Sequence, residues 1–246
     1  MSKTAAIAEK LAADWAAKAH YERLTGDLLP ADITEAYAAQ GALQRLLTAK
    51  RGPIAGRKIA LASKAMQEMV GLDTPIAGAI FANDVFDSPA EVPLERFVRL
   101  GLEYELAFEM SRDIAPGDGP FSADNVLELV AAVRPAFELI DDRAADYADL
   151  CPMTLAADNA WCGGIVLGPA IDDWQSLDLG DLPSVLHQDG QPPEDGNTGA
   201  ADPIGSLIWV LSHFAERGET IRKGEHIITG SVLRTRFPVP DDVARH

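Results

Sequence analysis

Two glutamates, Glu103 and Glu105, stand two residues apart in the segment GLEYELAFE that runs from Gly101 to Glu109. Successive side chains of a strand face opposite ways. Leu102, Tyr104, Leu106 and Phe108 therefore share an apolar face, and Gly101, Glu103, Glu105, Ala107 and Glu109 share the other. Two carboxylates on one side of a buried strand repel each other, and protonation, solvent or a cation must offset that repulsion. Hard divalent ions take oxygen ligands of this kind, Mg²⁺ through a few carboxylates with water in its remaining positions. An edge strand with a solvated glutamate face satisfies the same spacing.

A third carboxylate, Glu138, is embedded in the apolar run of RPAFELIDDR, residues 134–143. Such a group needs a cationic partner, and Arg143 is the nearest candidate for a structural ion pair. Lys58 heads another apolar run, RKIALA, where a lysine can snorkel to solvent. Taken together, the three acids and the lysine suggest an acidic metal site with a cation beside it. His20, His187, His213, His226 and His246 show no metal-ligand spacing. Ser63, Ser206 and Ser231 lack a nucleophile elbow, and Cys162 reads as a small buried thiol.

The elements that would position these groups are legible from periodicity. Ile7, Ala8, Leu11, Ala12 and Trp15 form one amphipathic helical stripe, and Ile33 to Leu47 form a second that opens at Pro30 and Asp32. Residues 57–62 read as a strand, Ser63 as the cap of a helix through Val70, and 71–78 (GLDTPIAG) as a loop. Phe97–Met110 reads as a strand, 122–133 as a helix, Ala136–Ile140 and Gly163–Gly168 as strands, and Ile204–Phe214 as a helix. Residues 172–202 carry eight acids and no Lys or Arg around PPEDGNTG, which suits an exposed hairpin tip. His226–Val239 reads as a terminal strand or strand pair.

The chain has 246 residues, with 38 Asp+Glu against 21 Lys+Arg and a formal charge of −17. That balance argues against nucleic-acid binding, which needs clustered cations. With 47% hydrophobic residues the chain can build a substantial core. No run approaches the roughly 18 apolar residues of a membrane span. The N-terminal segment alternates charge with alanine, unlike a signal peptide. Cys151 and Cys162 are too few for a disulfide framework. These features predict an acidic, soluble cytoplasmic protein.

Several stretches, in order and covering nearly the whole chain, resemble the fumarylacetoacetate hydrolase superfamily. They are Ala36-Tyr37-Ala38-Ala39-Gln40, the GRKIALAS stretch from Gly56 to Ser63, Glu103-x-Glu105, and PAFELIDDR from Pro135 to Arg143. Asp158-Asn159-Ala160 with GGIVLG, and Gly230-Ser231, complete the set. The resemblance is to the branch of 2-keto-4-pentenoate hydratases and 2-oxo-3-hexenedioate decarboxylases. It implies an α+β fold, a mixed β-roll over residues 56–246 with an N-terminal helical segment over 1–55, the two forming one functional domain. It implies Mg²⁺ or Mn²⁺ held by Glu103, Glu105 and Glu138, with the metal chelating a 2-oxo acid and stabilising an enolate. The implied activity is a lyase, a hydratase of a 2-hydroxy-2,4-dienoate or 2-oxo-alkenoate in aromatic-compound catabolism. The alternatives are a decarboxylase of the 2-oxo-3-hexenedioate type and a catalytically weak structural subunit beside an active paralogue.

Lys58 matches the active-site lysine of this family, which would hold the substrate carboxylate or assist proton transfer. Pro75, Ile76, Asp141, Trp161 and Ser231 fall where substrate contacts are expected. The implied partners are a small 2-oxo acid and further copies of the chain, or a paralogous pathway enzyme, with no membrane and no nucleic acid. Four departures stand out. Ile76 follows Pro75 where relatives carry Asp, and Trp161 follows Asp-Asn-Ala where they carry Ser. Leu233-Arg234 replaces a Thr after the Gly-Ser pair, and a closing glycine-containing strand is not evident before Arg245-His246. A retained metal site with a rewritten substrate pocket is the expectation.

Overall fold

The computed structural model describes residues 2–245. Helices form where the apolar stripes require them. Helix α1 (Lys3–Ala17) is capped by Ser2, whose side chain accepts from the Ala5 N–H, and α2 (Ile33–Arg51) by Asp32, which accepts from Glu35. Gly52, at φ 79°, ends α2 in a conformation that suits a glycine. Helix α3 (Lys64–Val70) starts at Ser63, whose hydroxyl accepts from Met66 as its sequence position predicts. Helices α4 (Pro152–Ala157) and α5 (Pro203–Glu216) complete the set.

The main sheet has seven strands: β1 (Ile54–Ala60), β2 (Ile76–Phe81), β3 (Val85–Asp87), β4 (Leu100–Met110), β5 (Val130–Asp141), β6 (Cys162–Leu167) and β9 (His226–Ile228). Their order is β2-β1-β9-β4-β5-β6-β3, antiparallel except for the β1–β9 and β3–β6 pairs. Strands β7 (Pro183–Gln188), β8 (Glu194–Asn197) and β10 (Ala244–Arg245) form a second, three-stranded sheet. The main sheet curls, so Ile80 of β2 and Ile165 of β6, from opposite halves of the strand order, meet in one apolar cluster with Ala107, Ala136 and Ile228. Small residues on β4 and β5 leave room on that inner face. This is the mixed β-roll the resemblance implies.

On the outer face, Phe108 and Leu106 pack with α5 through Leu207, Val210 and Phe214. The N-terminal helices are a layer of the same body. Ile7, Leu11 and Leu43 share a core with Ile76, Phe81, Leu155 and Trp161. Among the described residues no helix is long and apolar enough to cross a membrane.

Four sequence expectations are corrected. Residues 122–133 are not a helix: a short 3₁₀ turn over Val126–Leu129 leads straight into β5, because eleven-residue β4 offers that segment a ladder to pair with. The 71–78 loop ends early, since Ile76 opens fully buried β2. Beyond Ile228 the expected terminal strand is irregular: it runs beside β4 and is held there by single hydrogen bonds and the Leu102–Arg236 bridge rather than by a continuous ladder. The acidic 172–202 segment contains the β7–β8 hairpin, but it is not wholly exposed, since Trp174 and Leu179 are buried in the core beside α5.

Candidate metal centre and active site

Strand pairing brings the acids together. Glu103 of β4 lies directly opposite Glu138 of β5, and Glu105 opposite Ala136. Like charges in directly opposed positions destabilise a sheet, so this register needs a compensating cation or protons. At the glutamates β4 is covered by β5 on one side and by the 230–236 segment on the other, with β9 taking over at Ala107–Glu109, which removes the solvated-edge reading. The glutamate face is the inside of the roll, where Glu105 and Glu138 are 0% exposed. One oxygen of each of Glu103, Glu105 and Glu138 lies within 4.8 Å of the other two.

The buried cation beside them is Lys58. Its Nζ stands 2.8 Å from Glu138 Oε1 and 3.3 Å from the Ala160 carbonyl, to which it donates. At 2% exposure it does not snorkel. Arg143, the expected partner of Glu138, instead pairs with Asp158 at 2.5 Å. Apart from the Lys58 ion pair, Oε1 of Glu105 and both oxygens of Glu138 have no hydrogen-bond partner among the described residues. Burial, then repulsion from Glu138 and Glu103, holds the Glu105 carboxyl well above the usual carboxylate range. Burial also pushes Glu138 up to about 7, against the opposing pull of Lys58. For Lys58, burial favours the neutral form, yet the charges of Glu138 and Glu103 outweigh it and shift the amine upward. Unsatisfied, mutually repelling oxygens facing one point are the donor set a hard divalent cation takes.

Neighbouring residues hold this arrangement. The Gly230 N–H donates to Glu105 Oε2 at 2.6 Å, and the Thr235 hydroxyl to Glu103 Oε1 at 2.6 Å. The Asp158–Trp161 turn supports Lys58 from behind. Asp158 binds Arg143 and accepts from Trp15 Nε1 at 2.7 Å. The Asn159 side chain closes the free edge of β2, accepting from the Ala79 N–H at 2.8 Å and donating to the Ala79 carbonyl at 2.9 Å. Gly78 pairs with Lys58 across the β1–β2 ladder. A Cβ there would meet the Asn159 carbonyl at 2.7 Å and Lys58 Cγ at 3.2 Å. That glycine is where the lysine stem and the supporting turn find space.

A cleft of about 580 Å³ reaches this region, lined by Ile59, Leu61, Met66, Glu103, Ser231 and Arg234 among others. Of the residues expected to contact substrate, only Ser231 lines it. The Ser231 hydroxyl accepts from the Tyr104 N–H at 2.9 Å, which fixes the strand-like segment along β4. Pro75 and Ile76 lie at the start of β2, with Ile76 wholly buried. Asp141 is committed to the backbone N–H groups of Val98, Arg99 and Arg143. Trp161 is 5% exposed and packs edge-on against Tyr21 and Tyr147. Sequence reasoning missed Thr235, Asn159 and Gly78 as positioning residues. Asn159 sits in a motif already noted, and Thr235 supplies a hydroxyl just beyond the Leu233-Arg234 departure.

The curled mixed sheet with its N-terminal helical layer is the fold of the fumarylacetoacetate hydrolase superfamily. It matches the structure of 4-oxalocrotonate decarboxylase from Pseudomonas putida G7, complexed with calcium and acetate, at 25% identity and a TM-score of 0.87, over 98% of this chain and 92% of that one. The same enzyme complexed with magnesium and adipate gives 24% identity and a TM-score of 0.86 over 98% and 91%. The 2-keto-4-pentenoate hydratase of Paraburkholderia xenovorans (strain LB400) is 32% identical over 216 residues, 86% of this chain and 78% of that enzyme. No family profile matches the sequence. The chain belongs to the 2-keto-4-pentenoate hydratase and 2-oxo-3-hexenedioate decarboxylase branch of the superfamily, a branch of lyases.

Proposed function

We propose that this protein is a divalent-metal-dependent hydratase of a 2-hydroxy-2,4-dienoate or 2-oxo-alkenoate, with Glu103, Glu105 and Glu138 as metal ligands and Lys58 as the catalytic cation. The observation that carries the reading is the convergence of three carboxylates and one buried lysine on the inner face of the roll. Bound there, Mg²⁺ or Mn²⁺ would supply Lewis-acid polarisation of the 2-oxo group. Three carboxylates, a divalent ion and one ammonium sum to zero charge, so the site tolerates burial. Lys58 then has two tasks open to its Nζ: holding the substrate carboxylate and moving a proton. Thr235 and Gly230 keep Glu103 and Glu105 aimed at the centre. The apolar lining of Ala107, Ala136 and Ile228 keeps water from screening these charges.

A decarboxylase acting on a 2-oxo-dioic acid is the second reading, supported by the near-complete overlap with 4-oxalocrotonate decarboxylase. Turnover of a 2-hydroxy-2,4-dienoate is followed by loss of its conjugated absorbance with Mg²⁺, then after EDTA. The expected result is metal-dependent consumption without CO₂ release. CO₂ release from a 2-oxo-3-hexenedioate supplied in a parallel assay would select the decarboxylase, and no metal-dependent turnover of any 2-oxo acid would overturn both.

A further inference from the structure

Ala160, whose carbonyl accepts from Lys58, sits in an unfavourable stretch of backbone. Asn159, Ala160 and Trp161 have φ of 55°, 48° and 60°, three consecutive non-glycine residues in the left-handed region. An L side chain crowds the following carbonyl there, so such residues normally occur singly and each costs free energy. A run of three persists only where surrounding contacts over-determine it. Asn159 is fixed through its side chain, by the backbone of Ala79 and by Gln44 of α2, which donates to it at 2.9 Å. Trp161 is wedged between Tyr21 and Tyr147. The run begins at Asp158, and the clamp on that residue reaches back to the first helix of the chain.

Asp158 is 0% exposed. Arg143 donates to both of its carboxylate oxygens, at 2.5 and 3.3 Å, and the Trp15 indole N–H donates to Oδ1 at 2.7 Å. Trp15 stands in the last turn of α1, with the Arg143 guanidinium 5.0 Å above its ring. The other residues of the α1 stripe, Ile7, Ala8 and Leu11, supply apolar packing. Trp15 adds a hydrogen bond to a buried carboxylate, a stronger bond than one to a neutral acceptor. We propose that Trp15 is a positioning residue for this lyase: through Asp158 it holds the left-handed run that presents the Ala160 carbonyl to Lys58. Helix α1 is then part of the active-site machinery. The inference rests on the lyase reading, because it takes Lys58 as the catalytic cation.

The test compares Trp15→Phe with Leu11→Ala in the Mg²⁺-loaded full chain. Phenylalanine keeps an aromatic face but has no N–H for Asp158. Leu11 lies on the same helix, wholly buried and apolar, so its truncation removes packing and no hydrogen bond. Turnover of a 2-hydroxy-2,4-dienoate is measured well below both melting temperatures, and a crystal structure of Trp15→Phe gives the Lys58–Ala160 distance. Trp15→Phe is expected to lower kcat by about ten-fold or more, with KM and Mg²⁺ affinity within about two-fold of wild type. Its Ala160 carbonyl is expected to turn away from Lys58. Leu11→Ala should lower the melting temperature at least as far and keep wild-type kcat. Wild-type kcat in Trp15→Phe, an equal kcat loss in Leu11→Ala, or a Lys58–Ala160 hydrogen bond unchanged at 3.3 Å overturns the proposal. Failure of the lyase reading looks different: the wild type turns over no 2-oxo acid, while the carbonyl in Trp15→Phe is still displaced.

Discussion

The ammonium of Lys58 lies 2.8 Å from Oε1 of Glu138, and both side chains are closed to solvent. Removing one partner of a buried ion pair leaves the other charge uncompensated, at a cost of about 3–5 kcal/mol. Lys58→Met is therefore expected to melt well below the wild type when metal-free. The same change removes a positive charge that competes with a divalent ion, so Mg²⁺ should bind more tightly and recover much of the lost stability. Differential scanning calorimetry with and without Mg²⁺ checks both effects. Equal destabilisation in the two conditions would show that Lys58 and the ion do not share one charge balance.

Glu138→Gln keeps the shape of the side chain and removes its charge. Loss of an outer partner of a metal ligand costs roughly 10–100-fold in affinity, and loss of a ligand should exceed that. Mg²⁺ affinity by titration calorimetry is expected to fall by more than about 100-fold, with the circular dichroism spectrum unchanged. Wild-type affinity in this variant would sink the assignment of Glu138 as a ligand.

The acids also set a pH dependence. Burial holds Glu138 up to about 7 despite Lys58, and Glu105 lies well above the carboxylate range, whereas an unfolded glutamate titrates near about 4.3. An acid whose folded pKa is raised binds its proton more tightly when folded. Its contribution is full below the unfolded value and is lost as pH rises through the folded one. Metal-free protein should therefore melt at a lower temperature at pH 8 than at pH 6, and Mg²⁺ should close that gap by replacing the protons. A melting temperature that climbs between pH 6 and 8 in EDTA would contradict the argument.

The alternation of Glu103 and Glu105 was legible because a two-residue period has one reading on a strand. Helices α1, α2, α3 and α5 were legible from their stripes and caps. The partner of Glu138 was not. Arg143 is five residues away in sequence and Lys58 eighty, but the β-roll stacks β1 close to β5 through β9 and β4, a relation no local pattern encodes. Strand β2 was hidden for a related reason. Gly78 looks like a turn residue, yet it is glycine to admit Lys58 and Asn159. The run VLELVAAV is equally compatible with helix and strand, and pairing with β4 decides it.

Trp161 stands where a serine was expected beside the substrate, but it lies between Tyr21 and Tyr147, ring centroids 5.2 and 5.9 Å away. Replacing a buried tryptophan with a small residue costs about 3–5 kcal/mol. Trp161→Ser should lower the urea midpoint sharply while leaving the KM of the surviving folded protein for the 2-hydroxy-2,4-dienoate unchanged. A changed KM at full stability would place the indole in the substrate pocket after all.

Gly78 tests whether the position of Lys58, as distinct from its presence, matters. In Gly78→Ala the new methyl would sit 2.7 Å from the Asn159 carbonyl oxygen and 3.2 Å from Lys58 Cγ. The first contact is with backbone held by the Asn159–Ala79 hydrogen bonds, so the turn must shift. Overpacking of this kind costs about 1–3 kcal/mol. The turn carries the Ala160 carbonyl that accepts from Lys58, so its movement should also displace the ammonium. The expected signature is a kcat drop of about ten-fold or more with Mg²⁺ affinity retained, since the glutamates stand on other strands. Asn159→Ala, which frees the turn without adding bulk, should restore part of kcat when combined with Gly78→Ala. If Gly78→Ala loses stability but keeps wild-type kcat, the glycine serves packing alone.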